Sequence, residues 1–204
     1  MRYPKAGGTH GKTIRYQVFG SRAGPAWIRA GFDNAHAYSK CERSINTTID
    51  ELQYRFGTEV RATIKPGMGG SWAYTITGEL TLGMNGIAWY VKNGYKEYAT
   101  LQYMLGLKHR RGEWPRKVHG YFADPVRAGR ILAGHEYAHV LCDKILERSW
   151  THQVPYQLVY ARVLDYLFPG FGATHRVYRR HGRNIDLRYP QVDERVIAKL
   201  DRRE

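Results

Sequence analysis

Residues 133–141 read AGHEYAHVL, with His135 and His139 one helical turn apart and Glu136 beside the first. Residues four apart on a helix share a face, so both imidazoles can address one ion. Glu136, rotated by about 100° from His135, lies next to that ion without having to bind it. This is the HExxH arrangement, in which two histidines hold zinc and the glutamate acts as general base. The blander alternative is a buried helix whose imidazoles are satisfied by backbone. It must also accommodate a charged Glu136, and buried carboxylates are rare unless paired.

A catalytic zinc takes a third protein ligand and keeps one position open for water. Asp143 and Glu147 follow His139 by one and two turns, where either can orient an imidazole through its second nitrogen. The extended pattern HExxHxxGxxH fails, because it puts Ile145 at the third-ligand position. A further ligand must therefore come from beyond the turn that ends this helix. His152 is the nearest candidate and His175 the next. Three neutral imidazoles leave zinc its full charge, which can lower the pKa of a bound water to about 7. Glu136 then takes the proton as the water attacks a peptide carbonyl and passes it to the leaving amine. Tyr137 is open between an exposed residue and a transition-state donor, and Tyr156 reads as a core aromatic.

These residues need elements to hold them. Asp124 can cap a helix that Pro125 opens, and its apolar pattern runs to about Ser149. Pro155 starts another, lined on one face by Tyr156, Val159, Val163 and Leu167, until Pro169–Gly170 stop it. Earlier, Tyr38, Cys41, Ile45, Ile49, Leu52 and Phe56 recur every three or four residues, which predicts a helix from Asp33 or Asn34 to Phe56 with Gly57 as its stop. Residues 59–65 alternate as a strand, and residues 71–77 and 79–84 flank Gly78 as a hairpin. A strand at 13–19, a helix at 96–107 and a long basic loop at 108–122 complete the reading. The order predicts an α+β domain with a small antiparallel or mixed sheet packed on an N-terminal helix and a central HExxH helix, followed by a backing helix. The expected organisation is a basic arm at 1–30, a core at 31–170 with an insertion at 85–123, and a basic, weakly patterned tail at 171–204.

The chain of 204 residues has a formal charge of +14. That charge is uneven: segments 1–30, 106–130 and 171–204 are strongly basic, while 31–105 and 131–170 are balanced. Basic segments flanking a neutral core form a footprint for DNA or another polyanion. Arg110, Arg111, Arg116 and Lys117 lie in the basic loop, with Trp114, Tyr121 and Phe122 among them as possible stacking partners for bases. No apolar run approaches the ~20 residues of a membrane span, and the first twenty residues make a poor secretory signal, so a cytoplasmic protein without a membrane partner is expected. Cys41 and Cys142 are too few for a disulfide framework and read as buried free thiols.

HEYAH, thirteen residues, and then His152 with an aromatic four further on (HQVPY, ending at Tyr156) resembles the SprT-like metalloprotease domain, the family of the Spartan-type proteases that degrade proteins crosslinked to DNA. An amphipathic helix and strands ahead of the active helix are similar too. The resemblance covers about residues 33–168. It implies a zincin-like fold, one zinc on His135, His139 and His152, Glu136 as base, and DNA-associated protein substrates. In zincins an extended substrate pairs with an edge strand, here expected within 71–84. The chain departs from the family pattern at Gln153, where glycine is common, and in lacking the cysteines of a C-terminal zinc ribbon. Two other readings compete: a nucleic-acid-binding or phage-type structural protein with a non-catalytic zinc site, and a peptidase for non-DNA targets. Against the first, structural zinc usually has four protein ligands.

Overall fold

The computed structural model describes residues 24–92, 124–147 and 152–188. The expected strand at 13–19, the helix at 96–107 and the loop at 108–122 lie outside the described residues. A short helix α1 (Ala26–Ala30) leads into α2 (Ala35–Phe56), then β1 (Arg61–Lys65), β2 (Trp72–Tyr74), β3 (Glu79–Gly83), α3 (Met84–Lys92), α4 (Pro125–Leu146), α5 (Val154–Leu167) and α6 (Ala173–Arg188). The fold is α+β and mostly helical, as expected.

The two longest helices start where their capping chemistry predicts. Asn34 accepts the Ala37 N–H at 2.8 Å and opens α2, and Gly57, at φ 65°, closes it in the left-handed region. Asp124 accepts the Val126 N–H at 2.9 Å ahead of Pro125, which opens α4. The other end of α4 differs from the expected stop near Ser149. The helix finishes at Leu146, and Glu147 adopts φ 56° with its N–H on the Asp143 carbonyl at 2.8 Å. Glycine normally takes that conformation, so nothing at position 147 announces the stop.

The sheet has strand order β1–β3–β2. β2 and β3 are antiparallel around the turn at Gly78, whereas β1 runs parallel to β3. Ile64 and Leu82 pair on one face, as do Ala73 and Leu80, and this face meets the core. Trp72 and Tyr74 point to the opposite, exposed face. The strand expected to reach Met84 stops at Gly83, and Met84 opens α3 instead. Asn85 explains the change of direction: its N–H reaches the Met68 carbonyl at 3.0 Å and its side-chain amide reaches the Ala30 carbonyl at 3.3 Å.

α4 is the core helix. It packs against α2 on one side, α5 on the other, and also against β2, β3 and α3. Such a helix must be apolar around most of its circumference, and residues as far apart on the wheel as Ile131, Ala133, Tyr137, Val140 and Cys142 are all buried. Small residues let the neighbours close in. A Cβ on Gly129 would stand 2.9 Å from the Cys41 carbonyl oxygen, and one on Gly134 would stand 2.9 Å from Leu167 Cδ1. Because the obstacle at Gly129 is backbone, Gly129→Val is expected to destabilise the fold by about 1–3 kcal/mol through overpacking, measured by urea unfolding. A variant as stable as the parent would disprove this close approach of α2 and α4. Cys41 and Cys142 are buried free thiols as expected, and burial raises both pKa values, Cys142 to about 12.

α6 runs through a region expected to be a weakly patterned tail. The Asp165 carboxylate of α5 accepts the N–H groups of Ala173 (2.6 Å) and Thr174 (2.9 Å), capping α6 from another helix. A cap supplied eight residues upstream leaves no local sequence signal. Among the described residues no helix is long and apolar enough to cross a membrane.

Candidate metal centre

The site sits where α4 meets the start of α5. His135 and His139 come from consecutive turns of α4, and His152 from the bend before Val154. Their ligand nitrogens all lie within 4.8 Å of one another, and His135 Nε2 and His152 Nε2 are 3.1 Å apart. Two nitrogens bound tetrahedrally to zinc at 2.0–2.1 Å stand about 3.3 Å from each other, so the closest pair fits a shared ion. His175 is exposed on α6 and outside this cluster. The chain therefore brings together the nearest of the two candidate third ligands, and three histidines are positioned to bind a metal ion.

The local backbone explains how His152 arrives. It adopts φ 50°, a conformation that costs a non-glycine residue about 1 kcal/mol or more. Its carbonyl accepts a hydrogen bond from Gln157 Nε2 at 2.8 Å, which holds the bend from the first turn of α5. The departure at Gln153 falls at the N-cap of α5, which has no side-chain capping bond.

Tyr156 sets the protonation of His135. Its hydroxyl lies 2.8 Å from His135 Nδ1 and 3.1 Å from the His135 carbonyl oxygen. The carbonyl can only accept, so the single hydroxyl proton goes there and Nδ1–H donates to the hydroxyl oxygen. That leaves the Nε2 lone pair of His135 directed at His152, as a metal ligand requires. The Tyr156 ring also stacks on His139 with centroids 4.1 Å apart, and Tyr160 meets the His135 ring edge-on at 5.1 Å.

Burial keeps the imidazoles neutral. His135 lies well below its ordinary pKa through desolvation and then the neighbouring imidazoles, and His139 falls to about 3 for the same reasons. His152 is the most exposed of the three, yet its ring is covered enough for desolvation to lower its pKa too. Neutral imidazole is the form that binds a cation. Glu136 is only 4% exposed, and burial raises its carboxyl to about 8. It lies close enough to Tyr156 and Tyr160 to raise both hydroxyls further above their range, after the larger effect of desolvation.

Other expectations meet different outcomes. Tyr137 is neither exposed nor a transition-state donor: it is fully buried, with its hydroxyl 3.0 Å and 2.9 Å from the carbonyls of Leu52 and Thr58. It ties α4 to the end of α2 and the approach to β1. The partner of His135 Nδ1 is Tyr156, and Glu147 ends the helix. Tyr156 belongs to the core as expected, but its role at His135 was not anticipated. A buried tyrosine hydroxyl needs a partner, and that rule offered the one available hint. Arg110, Arg111, Arg116 and Lys117 lie outside the described residues.

No protein-family model, curated protein or solved structure matches the chain.

Tyr156→Phe keeps the ring and removes only the hydroxyl. It is expected to weaken zinc affinity by about 10–100-fold, measured by competition with a chromophoric chelator. Unchanged affinity would mean that Tyr156 packs without orienting the ligand.

Proposed function

We propose that the protein is a zinc-dependent peptidase of the SprT-like, zincin type, acting on DNA-associated proteins. The observation that carries this reading is the convergence of His135, His139 and His152 with the buried carboxyl of Glu136 on the same helix. The donor set suits zinc: among the described residues the cluster holds three imidazoles and no thiolate or carboxylate, a set that leaves a coordination position for solvent. When bound there, zinc would supply Lewis acidity, polarising a carbonyl and making a coordinated water easier to deprotonate.

The protein's own residues supply the rest. Glu136 accepts the proton of the attacking water on a carboxylate oxygen and returns it to the departing amine. Tyr156 holds His135 with Nε2 unprotonated, and Gln157 holds the backbone of His152. Among the described residues β2 is an edge strand of the sheet, packed against α4, so its outer side is suited to receive an extended peptide by strand addition. The DNA-linked substrate class rests on the +14 charge and its concentration outside the balanced core.

The test is cleavage of casein and of histone by zinc-loaded protein, with and without duplex DNA. Cleavage that disappears on chelation and returns with zinc supports the peptidase, and stimulation of histone cleavage by DNA supports the substrate class. Chelator-insensitive cleavage, or none on either substrate, would overturn the reading.

A further inference from the structure

α6 presents an unusual face. Between residues 173 and 183 it carries four arginines and no acidic residue. At 100° per residue, His175, Arg176, Arg179, Arg180 and Arg183 fall within an arc of roughly 140°. His175, Arg179, Arg180 and Arg183 are exposed and Arg176 is half-buried, its guanidinium 4.9 Å from the Phe171 ring centroid. Ala173 and Val177, which lie just past the Arg180 edge of this arc, are buried in the core against α5. Over residues 173–183 this arc thus contains only arginine and histidine, and by the same spacing Asp186 and Leu187 fall on it one turn further on.

An ordinary solubilising surface mixes both signs. Up to Arg183 this one has a single sign and uses arginine throughout, with no lysine anywhere in α6, and Asp186 is the first acid on the helix. Guanidinium matches phosphate oxygens in a two-pronged geometry that ammonium lacks. The arc is also rigidly mounted, since the Asp165 carboxylate holds the first turn and the apolar side is packed. No aromatic residue lies on the arc, whereas single-strand binders stack bases on aromatic rings.

We propose that the arginine face of α6 seats the phosphate backbone of duplex DNA. This builds on the proposed DNA-associated substrate class and assigns the contact to a surface separate from the metal centre. Binding there is independent of sequence, because the arc offers charge and no groove-reading element. Its affinity falls with salt at a log–log slope of about 0.9 for each phosphate neutralised.

The experiment is fluorescence anisotropy of a labelled DNA duplex with the full chain across a salt series. It uses the parent, Arg179→Ala/Arg183→Ala, Arg179→Lys/Arg183→Lys, and Arg61→Ala/Lys65→Ala on β1 as a control. The alanine pair is expected to lower the slope by roughly 1.8, with an unchanged circular-dichroism spectrum. The lysine pair keeps the slope, and the β1 control matches the parent. An unchanged slope in the alanine pair overturns the proposal. So does a labelled single strand of the same sequence bound as tightly as the duplex. The same titration on a Glu136→Gln background reads binding without cleavage. A failed peptidase with a retained α6 effect leaves this surface standing, and an active peptidase with no α6 effect removes only this surface.

Discussion

Glu136→Gln is expected to leave zinc content intact and to lower peptide hydrolysis by on the order of 10²–10⁴. The amide has nearly the shape of the carboxyl but cannot take a proton from water. The substitution is also well tolerated by its surroundings. Glu136 is 4% exposed with its pKa raised to about 8 by desolvation, so burial already disfavours the charge that glutamine lacks. In metal-free protein this has a measurable sign. A carboxyl raised from 4.5 to about 8 on folding contributes stability that is fully present below 4.5 and lost as pH rises through 8. Glutamine has no such titration, so metal-free Glu136→Gln should lose less stability than the parent between pH 5 and 8 in urea unfolding. Full proteolysis by the purified variant would remove Glu136 from the mechanism. A fall in both stability and zinc content would mean that the carboxyl is structural.

The elements that could be read from sequence are those whose signals are local. Asn34 with Gly57, and Asp124 with Pro125, mark helix ends through groups one to three residues away, and the structure keeps them. Gly78 likewise marks the β2–β3 turn, with φ 74°. The one-turn spacing of His135 and His139 is local in the same sense. The features that escaped are set by distant groups. α6 is capped by Asp165, the α3 start is fixed by contacts from Asn85 to Met68 and Ala30, and β1 lies parallel to β3 with β2 intervening in the chain.

The site divides along the same line. His152 could be nominated because it follows the helix at a short distance, but its left-handed backbone and the Gln157 bond that holds it have no pattern in the sequence. Tyr156 could be seen as an aromatic on the apolar face of α5. That its hydroxyl meets His135 depends on how closely α5 approaches α4. Gly134 permits that approach, because Leu167 and Val163 occupy the space a side chain would need. The glycine beside the first ligand is therefore part of the site's construction.

His152→Ala is expected to reduce zinc affinity by on the order of 10²–10³, while His175→Ala leaves it unchanged. Zinc held by a complete protein site is worth roughly 10–16 kcal/mol. Shared among three or four ligands, the loss of one is about 3–4 kcal/mol, or a factor of 10²–10³. The geometry singles out His152, since its Nε2 is 3.1 Å from His135 Nε2 whereas His175 is exposed on α6. The alanine should not unfold the chain. His152 is exposed and lies in a bend, and its carbonyl, which Gln157 holds, remains in the variant. Losing the ring also removes one imidazole that lowers the pKa values of His135 and His139, so any retained metal would be shed at higher pH than in the parent. Zinc content after dialysis, followed by competition titration, reads both variants. Zinc retained in full by His152→Ala would exclude His152 as a ligand, and loss in His175→Ala alone would move the third ligand to α6.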